Sequence, residues 1–466
     1  MSSKRFFVIL FLFLHGFQQV NSQTYYVSSS QGSNVNDGLT PQTPKKDLCD
    51  VPKEGVSILL KRGDVFWGNM SGYTNCTISS YGFGDRPVIC GFKVLVNPDA
   101  WKFEGNQLWS LDLRNTTDFR GAIEKEPSNT INNIGFIYDP LHNRVFGRNL
   151  RSTDLLTQEM DFYTSSYFTT QDIKEHPFGT VIVKSTKNPA EMGCLCFPIA
   201  ANGLSDMRNC RIQGLAIVGF SRNGIIHIQN CTVENCQIDL IGGGIFTGFQ
   251  YWVRAGNGVE LWYTYCDNTI TNCIISRTFD CATTIQANGV IRSNPRNNRF
   301  VGNRIYKCRQ AFEHFLNPSD NTLWQYDNCE FSNNICYLMG DNEFDSPELR
   351  DCNILSYEND PKEVIIRNNT FFGGNHLDGS GFSGGMNGNI IFIYEDQYLY
   401  TRHWGKDSPL ITCENDDAIF LYREAIEDNS DIVVLKRGSL KARIIEWRIR
   451  RRVNWKPIRL HFEKWL

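Results

Sequence analysis

From Ile212 to Phe371 one pattern recurs along the chain: an apolar residue, a variable one, Asn or Gly, two variable ones, and a second apolar residue. The six copies begin at Ile212, Val233, Ile270, Phe300, Phe331 and Ile366, at intervals of 21, 37, 30, 31 and 35 residues. Two positions before five of these anchors stand Cys210, Cys231, Asn268, Asn298 and Cys329, a second column of small or amide side chains. A fixed offset of residue types at a period of 20–50 residues is the mark of a stacked repeat. The shortest interval predicts one full circuit of chain, and the longer ones the same circuit with added loops. Each circuit would contribute short strands paired to those of its neighbours about 4.8 Å away. Apolar residues would face a narrow core, and Asn or Gly would take the tight turns because both tolerate positive φ. Stacked amides could hydrogen-bond along the axis.

A second strand follows each anchor. Gly224-Ile225-Ile226-His227-Ile228 aligns with Gly258-Val259-Glu260-Leu261-Trp262, then with Ala282-Thr283-Thr284-Ile285-Gln286 and Phe312-Glu313-His314-Phe315-Leu316. With Val259 and Leu261 inward, Glu260 and Trp262 face outward, and this alignment puts Thr284 and His314 on the same outer face. A slip of one residue would invert the assignment.

The fold class expected is therefore all-β: a right-handed single-stranded parallel β-helix with capping segments. Residues 1–22 are expected to be a signal peptide and 23–200 the first circuits with a cap or insertion around 100–190. Residues 201–400 are the core repeats, and 401–466 the last circuits with a basic tail. Early strands are predicted at Thr24-Tyr25-Tyr26-Val27, Val56 to Leu60, Thr77 to Ser80 and Pro87-Val88-Ile89. A cap is needed because an open end is a bare sheet edge.

Composition adds an address. Lys4 and Arg5 precede an apolar run from Phe6 to Phe13, and Val20-Asn21-Ser22 is a cleavage site before Gln23. The run is too short to span a bilayer. The mature chain is expected to be soluble and secreted, periplasmic or at the cell surface. The sixteen cysteines would then invite disulfides, but their repeat positions suit small buried hydrophobes, so few bridges are expected. The net charge of −3 gives no support for nucleic-acid binding. Residues 436–466 depart from that average, with eleven Lys/Arg against two Asp/Glu. An amphipathic terminal cap or a tail for an acidic polymer would each suit them. Five N-x-S/T sequons begin at Asn69, Asn75, Asn115, Asn230 and Asn368. They bear on the chain only in a eukaryotic secretory route.

The opening Tyr25-Tyr26-Val27, Gly32-Ser33, Asn36-Asp37-Gly38 and Thr43-Pro44 resembles the start of the pectin-lyase-like right-handed parallel β-helix family of secreted bacterial carbohydrate-active proteins. So do Leu60 to Phe66, Ser80-Tyr81-Gly82, and the later Gly256-Asn257-Gly258-Val259-Glu260-Leu261-Trp262. The likeness covers about residues 24–375. It implies the fold and a polysaccharide partner but not the reaction, because the family holds hydrolases, lyases, epimerases, esterases and inactive members.

On such a face a glycosidic bond would be cut by paired carboxyl groups. The candidates are Glu260, Asp280 and Glu313, in three successive circuits. Asp280, at a turn, is expected to be the acid and Glu260 the base or nucleophile. Trp262, His314, Trp252, Arg254 and Arg277 are the expected substrate-binding residues; Phe246, Phe249 and Tyr251 share the loop of Trp252. A polysaccharide lyase is the alternative, with an Arg or Lys as the base, Arg254, Arg277, Lys307 and Arg309 lying near the same circuits, and calcium or another cation neutralising the substrate carboxylate. In that case Asp341-Asn342-Glu343-Phe344-Asp345 offers hard-cation ligands. A non-catalytic glycan-binding or surface protein is the third reading. For the hydrolase no cofactor or metal is expected, no membrane span, and a monomer.

Overall fold

The computed structural model describes residues 22–114, 117–122, 134–150, 152–164, 180–244, 255–319, 324–340, 343–344, 352–356, 364–374, 387–395, 400–401, 413–415, 418–420 and 432–460. Among them the protein is all-β, with mostly parallel sheets and one α-helix, Leu440–Val453. Three parallel sheets dominate. Sheet one has nine strands, from Thr24–Val27 to Ile365–Arg367. Sheet two has ten, from Val65–Trp67 to Ile432–Leu435, and sheet three has seven, from Met70–Ser71 to Cys352–Ser356.

The chain visits the sheets in rotation. Thr232–Glu234 lies in sheet one, Gln237–Ile241 in sheet two, Val259–Trp262 in sheet three, and Thr269–Thr271 returns to sheet one. Each visit pairs in register with the visit before. Val233 stands opposite Ile270, Ile270 opposite Phe300, and Phe300 opposite Phe331. Those four side chains are fully buried, as are Ile212 and Ile305. Burying each such side chain is worth about 1.5–3 kcal/mol, which holds the register of the whole row.

The repeated Asn and Gly positions turn the chain from sheet one into sheet two. Asn235, Asn272, Asn333 and Asn368 all have φ of 53–56°, and Gly214 and Gly302 have 70°. Inside the turn a different Asn stacks on its counterpart. Cys273 N donates to Asn303 Oδ1 at 3.0 Å, Asn303 N to Asn334 Oδ1 at 2.8 Å, Asn334 N to Asn369 Oδ1 at 2.8 Å, and Asn369 N to Asn389 Oδ1 at 2.9 Å. A second ladder runs through Cys231 N, Asn268 and Asn298. Buried amides are tolerated here because each one is hydrogen-bonded. The fourteen cysteines whose side chains are described are free thiols, and thirteen of them are buried.

Between Val88–Cys90 and Asn202–Arg208 the winding is interrupted by two antiparallel sheets, of five and four strands, spanning Phe92–Leu95 to Cys196–Pro198. At the other end the helix Leu440–Val453 begins on Ser439, whose hydroxyl accepts from Ala442 N. Its Ala442, Ile449 and Val453 pack on Tyr337, Phe372 and Leu435 of sheet two. The tail beyond it continues over the same sheet, where Trp455 Nε1 donates to Ser276 Oγ at 2.9 Å. The basic side chains Lys441, Arg443, Arg448, Arg450, Arg451 and Arg452 remain exposed. No described helix is long and apolar enough to cross a membrane.

Candidate active site

Sheet three sets the rows on which the expected carboxylates sit. Glu260 stands opposite Thr284, and Thr284 opposite Glu313, so the two glutamates share one row two rungs apart. Val259, Thr283 and Phe312 form the neighbouring core row. The expected alignment of the last strand is off by one: Phe312 pairs with Thr283, not Ala282. The correction moves Glu313 onto the outer row and His314 into the core. His314 stands opposite Ile285 and is fully buried, stacked on Phe312 at 5.3 Å and edge-on to Tyr326 at 5.7 Å. It is thus not on the outer face where substrate binding was expected of it.

Around the shared row the polar groups form one connected set. Glu260 is nearly buried, and both its oxygens accept: Oε2 from Asn257 Nδ2 at 2.6 Å and Oε1 from Trp262 Nε1 at 2.7 Å. Asn257 also accepts from Cys281 N through Oδ1 at 3.2 Å, tying this strand to the next. Asp280 sits where the chain leaves sheet two for sheet three, half-buried. Its Oδ1 accepts from Gln310 Nε2 at 3.1 Å and lies 3.4 Å from Arg309 Nη1. Cys281 Sγ is 3.2 Å from Glu313 Oε2 and 3.5 Å from Gln310 Oε1. Gly256 allows this closeness: a Cβ there would lie 2.7 Å from Phe279 Cβ and 2.9 Å from Asp280 N.

Burial raises the Asp280 carboxyl above its ordinary value; Arg309 opposes the shift and Glu260 adds to it. Asp280 is thereby inclined to hold its proton, as a general acid must. Glu260, fixed by two donors, is the better placed of the two to act as an oriented carboxylate. Asp280, Cys281 and Glu313 also bring their ligand atoms within 4.8 Å of one another. The donor set does not suit calcium, which takes oxygen ligands. Zinc would need a thiolate. Burial and then the charges of Asp280 and Glu313 push the Cys281 thiol well up.

The other expected residues separate from this cluster. Arg277 is fully buried under the C-terminal tail, where substrate has no access. Its Nε donates to Asp239 Oδ1 at 2.8 Å and its Nη1 to Asn143 Oδ1 at 2.8 Å, with Trp455 5.0 Å from its guanidinium. Lys307 pairs with Glu343 at 2.9 Å. Trp252, Arg254, Phe246, Phe249 and Tyr251 lie outside the described residues, as do Asp341, Asn342 and Asp345. Asn257, Cys281 and Gln310 were missed as site residues. Gln310 could have been found from the register alone, since it stands opposite Cys281.

No protein-family model matches the sequence, and no curated protein matches it. Among solved structures the protein is similar to one titled a glycoside hydrolase, at 10% identity and a TM-score of 0.42, over 80% of this chain and 93% of that one. It is also similar to an alginate lyase from Paenibacillus sp. str. FPU-7, at 13% identity and 0.32, over 81% and 88%. A lacto-N-biosidase of the GH136 class from Eubacterium ramulus matches at 13% identity and 0.32, over 80% and 63%. At these TM-scores the likenesses carry no inference about chemistry.

Proposed function

We propose that the three-sheet winding is a right-handed parallel β-helix and that the protein is a secreted glycoside hydrolase acting on a polysaccharide laid along sheet three. The observation that carries the reading is the shared row of Glu260 and Glu313, with Asp280 hydrogen-bonded into the same set. Stacked circuits line up equivalent side chains at about 4.8 Å per rung, so a linear polymer meets a regular series of groups. In this reading Asp280 protonates the leaving oxygen, a role favoured by the burial that raises its carboxyl above the ordinary value. Glu260 acts on the sugar as base or nucleophile, held by Asn257 and Trp262. Glu313 supplies a second carboxylate on the row, and the exposed part of Trp262 offers an aromatic face to a sugar ring. Removal of residues 1–22 would precede work outside the cytoplasm.

The test is incubation of the purified protein with a panel of plant, algal and host glycans, following reducing ends and the absorbance of unsaturated uronate products together. New reducing ends without absorbance, lost in Glu260→Gln and Asp280→Asn, support the hydrolase. Absorbance rising with the reducing ends would replace it with a lyase. Binding without turnover on every glycan would replace it with a glycan-binding role.

A further inference from the structure

A concave site lies at another corner of the fold. The carboxylate cluster sits where the chain passes from sheet two to sheet three. This cavity, of about 550 Å³, sits where sheet one passes to sheet two, near the first circuits. Arg62, Ser80, Asp85, Arg86, Gln213 and Asn235 line it.

Two arginines and one aspartate, Asp85, set its charge. Arg62 Nη1 donates to the carbonyl of Gly84 at 3.2 Å, and Arg86 Nε to the carbonyl of Asn235 at 3.1 Å. These partners are neutral, so both guanidinium groups are aimed and anchored but not discharged by them. The floor is kept clear by Gly214, whose φ is +70°. A Cβ there would stand 3.7 Å from Ser80 Oγ and 3.9 Å from Arg62 Nη2. The positive field extends along the corner. Burial lowers the Arg304 guanidinium from its ordinary value, and the charge of Arg86 lowers it further. An anion seated here would relieve that repulsion.

Two features narrow the anion. Ser80, Gln213 and Asn235 offer hydroxyl and amide groups beside the arginines, and Asp85 offers an acceptor that opposes a compact dianion. Phe83 precedes Gly84, which lines the cavity, and is 100% exposed. A fully solvated phenyl group next to a lining residue is suited to stacking on the apolar face of a ring.

We propose that this corner is a binding site for a monoanionic sugar unit, a uronate or a sulfate ester, with its anionic group at Arg62 and Arg86 and its ring against Phe83. The choice of a sugar rests on the carbohydrate reading above; the anion does not. The site would hold an acidic polysaccharide at a corner away from the carboxylates, anchoring the polymer without taking part in its cleavage.

The test is calorimetric titration of the full chain with glucuronate, glucose 6-sulfate, glucose and inorganic phosphate. At least one anionic sugar is expected to bind ten times or more tighter than glucose. Arg62→Gln with Arg86→Gln removes that preference, and Phe83→Ala weakens the anionic sugar several-fold. Phe83→Ala changes a fully exposed residue, so its folding is safe. Glucuronate and glucose 6-sulfate titrated separately assign the carboxylate or the sulfate. The proposal is overturned if glucose binds as well as both anionic sugars, or if the double arginine variant binds like the parent. Phosphate binding as tightly as both sugars, with Phe83→Ala without effect, overturns the sugar and leaves an anion cleft. Absence of glycan cleavage, with this binding intact, would sink only the hydrolase reading.

Discussion

The indole Nε1 of Trp262 donates to Oε1 of Glu260 at 2.7 Å, two positions away on the same strand. Residues i and i+2 share a face of a strand, so the pairing follows from the backbone. It joins the group that holds the carboxylate to the group that would touch a sugar. Trp262→Phe keeps an aromatic ring, though a smaller one, and deletes the donor. Glycan turnover is expected to fall about tenfold, in kcat more than in KM, because the nearly buried Glu260 loses one of two hydrogen bonds worth about 1.5–3 kcal/mol each for a charged partner. An unchanged kcat would separate the indole from the chemistry.

Asp280 gives a pH dependence with a definite sign. Its folded value is raised above that of the unfolded chain, so the protonated form is favoured by folding. Activity that needs this proton is lost as pH rises through the raised value. Arg309 lowers it, so Arg309→Gln should move the alkaline limb of the rate profile to higher pH. Asp280→Asn should cost roughly 10²–10⁴-fold in turnover. The same sign applies to stability. The melting temperature of Asp280→Asn should match the parent below the ordinary carboxylate range and exceed it above the raised value, where the parent must bury a charge. A limb that moves downward in Arg309→Gln would contradict the assignment.

Arg277 and Asp239 form a fully buried ion pair. Asp239→Ala leaves the buried guanidinium with Asn143 and with Glu343 at 3.4 Å and should destabilise the fold by up to about 3–5 kcal/mol, read from chemical denaturation. Replacing both residues by apolar ones of similar size should recover most of that loss. Turnover per folded molecule is expected to be unaffected in the double variant, since the pair lies under Trp455 on sheet two and Glu260 lies on sheet three.

The ladder can be tested at Asn334, which accepts from Asn303 N and donates from its own backbone N to Asn369. Asn334→Ala removes the acceptor for a buried N–H, at a cost of about 1–3 kcal/mol. Thermal unfolding measures it. Asn333→Ala on the adjacent residue loses a preferred φ > 0 residue and a 3.3 Å hydrogen bond from its Nδ2 to Ser332 Oγ, and should cost less.

The periodic part of the protein was legible because one force writes it. The core rows at Val233, Ile270, Phe300 and Phe331 must be apolar and the turn residues must accept positive φ, so both appear at fixed offsets. The expected strands at Thr24, Thr77 and Val88 are present for the same reason. The register of Phe312 was misjudged because its partner in the core row is a threonine. Thr283 is buried and donates its hydroxyl to Ala311 O at 3.0 Å, a satisfied polar group where an alignment by hydropathy looks for an apolar one. Arg277 resembled a surface cation because its partner Asp239 is distant in sequence and nothing local marks the pair. The trio of Asn257, Cys281 and Gln310 is visible only when three circuits are superposed in true register.

The C-terminal segment has a consequence for how the chain comes together during synthesis. Trp455 bonds to Ser276, and Gln237 Nε2 donates to the carbonyl of Lys456 at 2.7 Å, a separation of 219 residues. The middle circuits can therefore emerge from the ribosome and pair long before the segment that covers them exists. Until residues 440–460 arrive, Tyr337, Phe372 and the Arg277 pocket would lie open to water. A nascent chain stalled before that point would present an apolar strip of sheet to chaperones and proteases. The last helix thus makes translation to its end a condition for a closed surface.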